Sequence, residues 1–284
     1  MIELDAATVM LQWATGGLFF LWITTRRREV SLGYGWLMRG TYLLIAGIGL
    51  LIAWRYGTVA GRDLALVGVV VAASVALVQS IVRRGAGVSG HLAEHDRRTE
   101  RVAAMTGIER TTAERDTSAR EFDPRLDLVA PVIGFVGLIA AGAAAGGNDA
   151  LAIARTLAGA AFLGAVSDAM LLGHWYLVQP GLKRGALLEL VRWVGWTWPF
   201  EVALLLIPTG MFSVWNGTID DGYQGMLGWF WGVSAITTII LVGVTMAALR
   251  ERYYSAVMAA TGLLYLAILT AFGTDLIARA LLAQ

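Results

Sequence analysis

Hydrophobic residues occur in long continuous runs along this chain, separated by shorter polar stretches. Runs such as "LLIAGIGLLIAW" and "AITTIILVGVTMAAL" do not alternate between polar and apolar positions, so they predict helices rather than barrel strands. A helix that crosses a bilayer needs roughly 20 predominantly apolar residues. Eight windows meet that requirement, at about 6–25, 40–57, 63–82, 127–146, 151–178, 187–208, 225–248 and 254–274.

The composition indicates that lipid rather than water surrounds most of the chain. Hydrophobic residues make up 57% of the sequence and charged residues 15%, against about 25% charged residues in soluble domains. We therefore expect an all-α integral membrane protein, a bundle of eight transmembrane helices in a lipid bilayer. Residues 1–82 would hold spans 1–3, residues 83–126 a charged cytoplasmic loop, and residues 127–284 spans 4–8.

Lysine and arginine are distributed unevenly between alternate loops, which predicts the orientation. If the N-terminus lies outside, 17 of the 22 basic residues fall in cytoplasmic loops, and only Arg55, Arg62, Arg155 and Arg279 fall outside. The acidic start "MIELD" lacks the basic region of a cleavable signal peptide, so we expect the first span to be retained. The sequence thus predicts a cytoplasmic (inner) membrane protein with both termini outside.

The absence of cysteine excludes iron–sulfur clusters held by thiolates and attachment of a c-type haem. A bis-histidine haem b is not expected either, because His174 is the only histidine in a predicted span. The cofactor, if any, is not identified. The net charge of +1 gives no reason to expect binding to nucleic acid.

The segment 83–126 is the only sizeable predicted loop, and its nine arginines and eight acidic residues predict one or two charged helices on the cytoplasmic face. This loop could bind partner subunits. It also contains "HLAEH", in which His91, Glu94 and His95 fit a zinc-binding pattern. The pattern is weak because zinc needs a further ligand and a shaped cleft, and a solvated charged helix is the simpler interpretation.

Ionisable residues within a membrane are costly, so each is a candidate for a functional site. Asp168 and His174 lie in the fifth span, and Arg192 and Glu201 in the sixth. Helical geometry places His174, Tyr176 and Arg192 at one depth near the cytoplasmic side. The simplest interpretation is that His174 is a water-exposed member of an interfacial aromatic belt. The functional interpretation is a pocket in which Asp168 pairs with Arg192 and His174 offers hydrogen bonding or proton transfer.

Glu201 has a different predicted depth, about 20 Å from the cytoplasmic side at 1.5 Å per residue. It follows Pro199, which removes one helical hydrogen bond and can kink the span. Such a carboxylate would suit a proton, a cation or a head group. The alternative is a structural glutamate that is protonated or paired.

A faint internal similarity favours two related halves of four spans each. Trp22 and Arg39 are separated by 17 positions across the first loop, and Trp175 and Arg192 by the same number across the fifth. Two matched residues give only weak support for such a 4+4 repeat.

These features lead to one main functional hypothesis and two alternatives. The main hypothesis is a polytopic membrane protein that binds or transports a small molecule or ion through a polar site between spans five and six, coupled to protons. Asp168 and Glu201 would respond to protons, Arg192 would be a counter-ion, and His174 would relay protons. The alternatives are a membrane subunit of a redox complex, with a quinone head group near His174, Tyr176 and Arg192, and an assembly or scaffold protein. No catalytic motif supports an enzyme activity of its own.

Overall fold

The computed structural model describes residues 5–106, 120–179, 182–207, 210–251 and 253–282, and this part of the chain contains helices and their connections but no strands. A short 3-10 helix, Pro124–Leu128, leads directly into α5. The α-helices are α1 (Ala6–Thr25), α2 (Leu32–Tyr56), α3 (Ala60–Val82), α4 (Ser89–Thr106), α5 (Val129–Ala144), α6 (Asp149–Val178), α7 (Gly185–Leu206), α8 (Phe212–Trp215), α9 (Met226–Arg250) and α10 (Tyr254–Leu282).

Seven stretches within the described residues are long and apolar enough to cross a bilayer: α1, α2, α3, Pro124–Ala144, α6, α9 and α10. The prediction of a helical, multi-span membrane protein is therefore confirmed. The remaining predicted window, 187–208, corresponds to α7. This helix has 22 residues but carries Glu189, Arg192 and Glu201, so its length meets the requirement while its composition does not.

Apart from α4 and α8, successive helices run in alternating directions between two ends of the bundle. The end with Asp5, where α1, α3 and α6 begin, is called the Asp5 end. The opposite end, with Asp127 at the start of the fourth apolar stretch, is called the Asp127 end. Three contacts there join elements that are distant in sequence. Thr25 at the end of α1 contacts Asp127, the hydroxyl of Tyr254 at the start of α10 contacts the carbonyl of Tyr176 near the end of α6, and Arg184 before α7 contacts the carbonyl of Leu249 at the end of α9.

Helices α1 and α6 form the centre of the bundle and are its most buried spans. They cross where Gly16 meets Gly164. A Cβ atom on Gly16 would lie 1.8 Å from the carbonyl oxygen of Ala160, and one on Gly164 would lie 2.2 Å from the backbone of Gly16. The missing side chains therefore allow direct contact of the two backbones, as is common in packed membrane helices.

The other long helices pack around this central pair. Together with α1 and α6 they form two groups of four helices. In the first group α1 packs on α2 and α5, α2 packs on α3, and α3 packs on α5. In the second group α6 packs on α7 and α10, α7 packs on α9, and α9 packs on α10. Each group of four helices therefore has the same order of neighbours.

A buried ion pair fixes the Asp127 end of the first group. Arg39 donates from Nε and Nη2 to the two carboxylate oxygens of Asp127, each at 2.7 Å, and both side chains are almost fully buried. Thr25 donates to the same carboxylate at 3.0 Å, and the guanidinium lies 4.4 Å from the ring centre of Phe122. We expected Arg39 in a loop, but α2 begins eight residues before the predicted window, because Asp127 neutralises the arginine inside the bundle.

The described part of the charged loop contains one α-helix, α4, which follows a short 3-10 helix at Arg84–Ala86 and lies at the Asp127 end. Its first turn is attached to the bundle: the N–H of His91 donates to the carbonyl of Arg28 at 3.0 Å, and a nitrogen of the His91 ring lies 2.6 Å from the amide nitrogen of Gln179. Residues 107–119 of the predicted loop lie outside the described residues.

Candidate functional site

The structure separates the predicted site residues into two groups. Asp168 and Glu201 are completely buried, whereas the side chains of His174 and Arg192 are exposed. The expected contact between Asp168 and Arg192 is not present. Asp168, on α6, instead points toward α2, and Arg192, on α7, points away from the bundle. The first side chain therefore lies in the core and the second on the exterior.

The first buried polar centre surrounds Asp168. The hydroxyl of Tyr42 donates a hydrogen bond to Oδ1 of Asp168, while Oδ2 has no hydrogen-bond partner among the described residues. The ring of Tyr42 occupies the space beside Gly17, where any side chain would overlap it. The next residue, Ser167, accepts a hydrogen bond of 2.8 Å from the indole of Trp13. Asp168 is ten residues from the end of α6, about 15 Å along the helix axis.

The second buried polar centre surrounds Glu201 near the Asp5 end, in agreement with the predicted depth. The carboxyl group of Glu201 lies beside that of Asp275 on α10, within hydrogen-bonding reach. Within the described part of the chain, no donor reaches either oxygen of Glu201 or Oδ2 of Asp275. Two carboxyl groups in contact can form a hydrogen bond only if one of them carries a proton. The arrangement is therefore suited to holding one proton between two acids.

Two arginines lie beside this carboxyl pair. Arg279 donates from Nε to Oδ1 of Asp275 at 2.7 Å and from Nη2 to the carbonyl of Arg155 at 2.9 Å. Arg155 in turn donates to the carbonyls of Leu204 and Ile207, which are left without helical partners where α7 ends. The second centre thus joins α6, α7 and α10 and contains two positive and two acidic side chains.

A cavity of about 570 Å³ lies next to the second centre, between the Asp5 ends of α1, α2, α3, α5 and α6. This volume is within the range of small-molecule sites, about 300–1,000 Å³. The polar residues that line it include Asp5, Thr8, Gln12, Arg62, Thr156 and Arg279. Arg279 therefore contacts the cavity and the buried carboxyl pair at once.

The other predicted site residues have local partners. Nδ1 of His174 lies 3.1 Å from the hydroxyl of Tyr265 on the exposed face of α6 and α10. Tyr176 is buried, and its hydroxyl donates to the carbonyl of Lys183, which holds the turn between α6 and α7. These positions do not bring His174, Tyr176 and Arg192 together around one ligand.

The weak zinc pattern in α4 has polar contacts of a different kind. Glu94 forms an ion pair of 3.6 Å with Lys183, and His95 lies 3.8 Å from Asp96. Among the residues that the structure describes, no group of three histidine, aspartate or glutamate side chains could hold a metal ion. Glu94 and His91 instead connect α4 to the ends of α6 and α7.

Sequence reasoning missed most partners in the two centres. Tyr42 and Gln12 were not singled out, and Arg155 was counted with an outer loop although it lies within α6. Asp275 and Arg279 were visible only as a pair four residues apart at the end of the last span. A glutamine inside an apolar run was the available signal for Gln12, because a polar side chain in lipid needs a partner.

No known family, curated protein or solved structure matches the chain. The fold and the buried polar centres identify the class of this protein. It is a polytopic helical membrane protein with ionisable groups inside its bundle.

Proposed function

We propose that this protein binds a small molecule or ion, or transports it across the cytoplasmic membrane. This function would be coupled to protons that bind at Asp168 and at the Glu201–Asp275 pair. The observation that carries this proposal is a set of four buried carboxyl oxygens that no N–H or hydroxyl donor of the described residues reaches, three of them on two carboxyl groups that lie beside each other. They are Oδ2 of Asp168, both oxygens of Glu201 and Oδ2 of Asp275.

The cost of burying charge supports a role in proton exchange. Burying an unpaired carboxylate inside a membrane costs several kcal/mol of free energy, and neutralisation by a proton removes most of that cost. A structural carboxylate would be expected to accept hydrogen bonds at both oxygens, as Asp127 does from Arg39. Asp168 and Glu201 lack such complete pairing, and they lie at different depths along the bundle. Two such groups suit successive positions of a proton.

We propose further that α7 also crosses the membrane, which brings the number of spans to eight. Arg155 near the start of α6 reaches the carbonyls of Leu204 and Ile207 at the end of α7, while Tyr176 near the end of α6 reaches Lys183 just before α7. The two helices are therefore antiparallel over most of their length. Burial of Glu201 beside Asp275 and Arg279 lowers the cost of taking α7 through lipid.

The same order of neighbours in each group of four helices supports a 4+4 repeat. The residue pairs that first suggested it support it less, because Arg39 is buried in an ion pair and Arg192 is exposed.

The number of spans and the orientation can be tested by labelling single cysteines, since the natural chain has none. Thr58, Ser89 and Thr218 are exposed and lie before α3, at the start of α4 and after α7. With eight spans and an external N-terminus, an impermeant maleimide labels Thr58→Cys and Thr218→Cys from outside and Ser89→Cys only after lysis. Labelling of Thr218→Cys from the same side as Ser89→Cys would contradict a crossing by α7.

The proton proposal can be tested without knowing the transported molecule. Purified protein in proteoliposomes is subjected to rapid pH jumps, and the resulting charge displacement is recorded on a solid-supported membrane. Asp168→Asn and Glu201→Gln keep the side-chain shapes but remove titration, so each is expected to lower the current and the double variant to abolish it. Arg192→Met, on the exterior, serves as the matched control and keeps the current. A wild-type current in the double variant would overturn the proposal.

The two alternatives are less favoured by the arrangement of side chains. A quinone site would need His174, Tyr176 and Arg192 to converge, and they do not. A scaffold role would use the charged loop, whose helix α4 already contacts the bundle through His91 and Glu94. Redox subunits or a chromophore that co-purify with the protein would favour the redox-subunit alternative.

A further inference from the structure

We propose that a groove on the outer surface of the bundle binds one anionic phospholipid, with an acyl chain in the groove and the phosphate on Arg84 and Arg125. The groove runs between α3 and the apolar stretch that contains α5, and it is called the α3–α5 groove. It is separate from the two buried polar centres, so this inference does not depend on the proposed transport function.

The α3–α5 groove has a volume of about 600 Å³, and only apolar side chains and Gly68 line it. Ala72 and Ala76 are less exposed than the neighbouring valines of α3 and form the floor. The walls are formed by Val67, Val71, Val75, Leu126, Val129 and Ile133. Lipid tails are as apolar as these side chains, so a hydrocarbon chain can fill the groove.

The length of the groove suits one extended acyl chain. Along α3 it runs from Leu64 to Ala76, twelve residues or about 18 Å. One leaflet contributes about half of a hydrocarbon core that is about 30 Å thick. Val78 and Val82 are also exposed and continue the same face of α3 from Val75 at helical spacing. The apolar path therefore reaches the Asp127 end of α3.

Two exposed arginines lie at the Asp127 end of this path. Arg125 directly precedes one of the wall residues, and Arg84 is the second residue after α3. Helix α3 has 23 residues and is about 35 Å long, so a residue beyond its end reaches the head groups of a bilayer. The long side chain of Arg125 can extend to the same depth.

Contacts at the Asp127 end bring the chain segments that carry these two arginines together. The buried Arg39 donates to the hydroxyl of Ser80 on α3 at 3.3 Å and to the carboxylate of Asp127 at 2.7 Å. One turn after Ser80, Arg83 donates to the carbonyl of Glu121 at 3.3 Å. The end of α3 and the segment before α5 are thus attached to each other at two points, and both exposed arginines lie along this seam.

The charge at the seam is positive and available to a ligand. The side chains of Arg84 and Arg125 form no hydrogen bond or ion pair within the described part of the chain. Of the acids on the segment before α5, Glu121 is paired with Arg28 at 2.7 Å, and Asp123 accepts a hydrogen bond from the backbone N–H of Arg125. Two exposed arginines therefore face one unneutralised acid.

An anionic phospholipid is the occupant that complements both parts of the site. Basic sites between membrane helices bind anionic head groups, and the adjoining groove is the size and polarity of a lipid tail. An apolar helix would fill the groove but would leave the two arginines unneutralised. A free phosphate would neutralise them but would leave the groove unused.

Native mass spectrometry of the purified full-length protein tests the head group, with dioleoyl phosphatidylglycerol and dioleoyl phosphatidylcholine as probes. The two lipids have the same acyl chains, and only the first has a net negative charge. We expect one molecule of phosphatidylglycerol to bind at least about ten-fold more tightly, from the attraction of two arginines. Equal dissociation constants for the two lipids would overturn the proposal.

Paired variants identify the arginines that bind the phosphate. In Arg84→Gln/Arg125→Gln we expect the preference for phosphatidylglycerol to fall to about two-fold or less. The matched control is Arg192→Gln/Arg250→Gln, which removes the same charge from exposed positions on α7 and α9 and keeps the preference. A preference that persists in the first variant, or that falls equally in the control, would overturn the assigned site.

A variant of the groove tests the position of the acyl chain. Ala72→Leu fills the floor and is expected to weaken phosphatidylglycerol binding at least about five-fold, whereas Ala247→Leu, exposed on α9, leaves it unchanged. Unchanged binding in Ala72→Leu would overturn the assignment of the groove, and the arginine variants remain decisive if this variant fails to fold. A lipid-free dimer of the wild type that Ala72→Leu dissociates would show that a second copy fills the groove, and it would also overturn the proposal.

Discussion

The hydroxyl of Tyr42 on α2 donates a hydrogen bond to the carboxyl group of Asp168 on α6, 126 positions further along the chain. The ring of Tyr42 reaches Asp168 through the space beside Gly17 on α1. This contact therefore depends on the close packing of three helices. It also determines which oxygen of Asp168 is left without a partner.

We predict that Tyr42→Phe destabilises the protein by about 1–3 kcal/mol, because it leaves a completely buried carboxyl oxygen without its donor. Thermal unfolding in detergent, followed by tryptophan fluorescence, measures the change. Tyr34→Phe is the matched control, since the hydroxyl of Tyr34 is buried and has no hydrogen-bond partner among the described residues. If Tyr34→Phe lowered the stability as much as Tyr42→Phe, the result would argue against a specific role for the Tyr42–Asp168 hydrogen bond.

The Arg39–Asp127 pair gives a second prediction. Removing one partner of a buried ion pair leaves an uncompensated charge and costs about 3–5 kcal/mol. We therefore expect Arg39→Met to lower the unfolding temperature strongly or to prevent stable purification. The same substitution at Arg192, which is exposed, should change stability by no more than about 0.5 kcal/mol. Equal effects at the two positions would contradict the different environments.

The crossing of α1 and α6 predicts a strong effect of one methyl group. Gly16→Ala would place a carbon atom 1.8 Å from a backbone oxygen, so the helices must separate. We expect the free energy of unfolding to fall by about 1–3 kcal/mol, which is typical of overpacking. Gly47→Ala meets no atom within 4 Å and should be neutral or slightly stabilising. A neutral Gly16→Ala variant in the same thermal unfolding assay would exclude this close approach.

A loop outside the spans gives a prediction about acid stability. Asp221 accepts hydrogen bonds from the backbone N–H groups of Tyr223, Gly225 and Leu227 at 2.9, 2.8 and 2.8 Å. Partial burial raises the pKa of Asp221, but these donors lower it by more, so the pKa lies below its ordinary value. The stabilisation is therefore present above the pKa of the unfolded chain and is lost as pH falls through the folded pKa.

We expect Asp221→Asn to lower the unfolding temperature at neutral pH and to reduce its further fall below about pH 5, as pH drops from just above the pKa of an unfolded aspartate, about 3.9, through the lower pKa of the folded protein. The adjacent Asp220 is exposed and, among the described residues, accepts a hydrogen bond from the N–H of Gly222 alone, so Asp220→Asn serves as the control with little change. An unchanged acid dependence in Asp221→Asn would show that other groups determine it.

The sequence predicted depth along the helices better than contacts across them. Continuous apolar runs are sufficient to identify spans, and counting residues placed Glu201 near the correct end of the bundle. The same count placed Asp168 and Arg192 within reach of each other. Depth does not determine the side of the helix on which a residue lies, and the structure turns Arg192 outward and Asp168 toward Tyr42.

The ends of the spans were also difficult to predict, because a charge inside the bundle resembles a charge in a loop. Arg39 was counted as a loop residue, and Arg155, although inside the predicted window 151–178, was counted with the charges outside the membrane. Each is buried because another element supplies its acceptors: the carboxylate of Asp127 for Arg39, and the last carbonyls of α7 for Arg155. These acceptors are distant in sequence, so hydropathy cannot indicate them.

The central claim is that Glu201 and Asp275 share a proton inside the bundle, and infrared spectroscopy tests it most directly. The difference spectrum of the purified protein between water and heavy water at neutral pH reports the C=O stretch of a protonated carboxyl group. The account predicts such a band in the wild type, its loss or reduction in Glu201→Gln, and its retention in Arg192→Met. No protonated carboxyl band in the wild type, or an unchanged band in Glu201→Gln, would contradict the account.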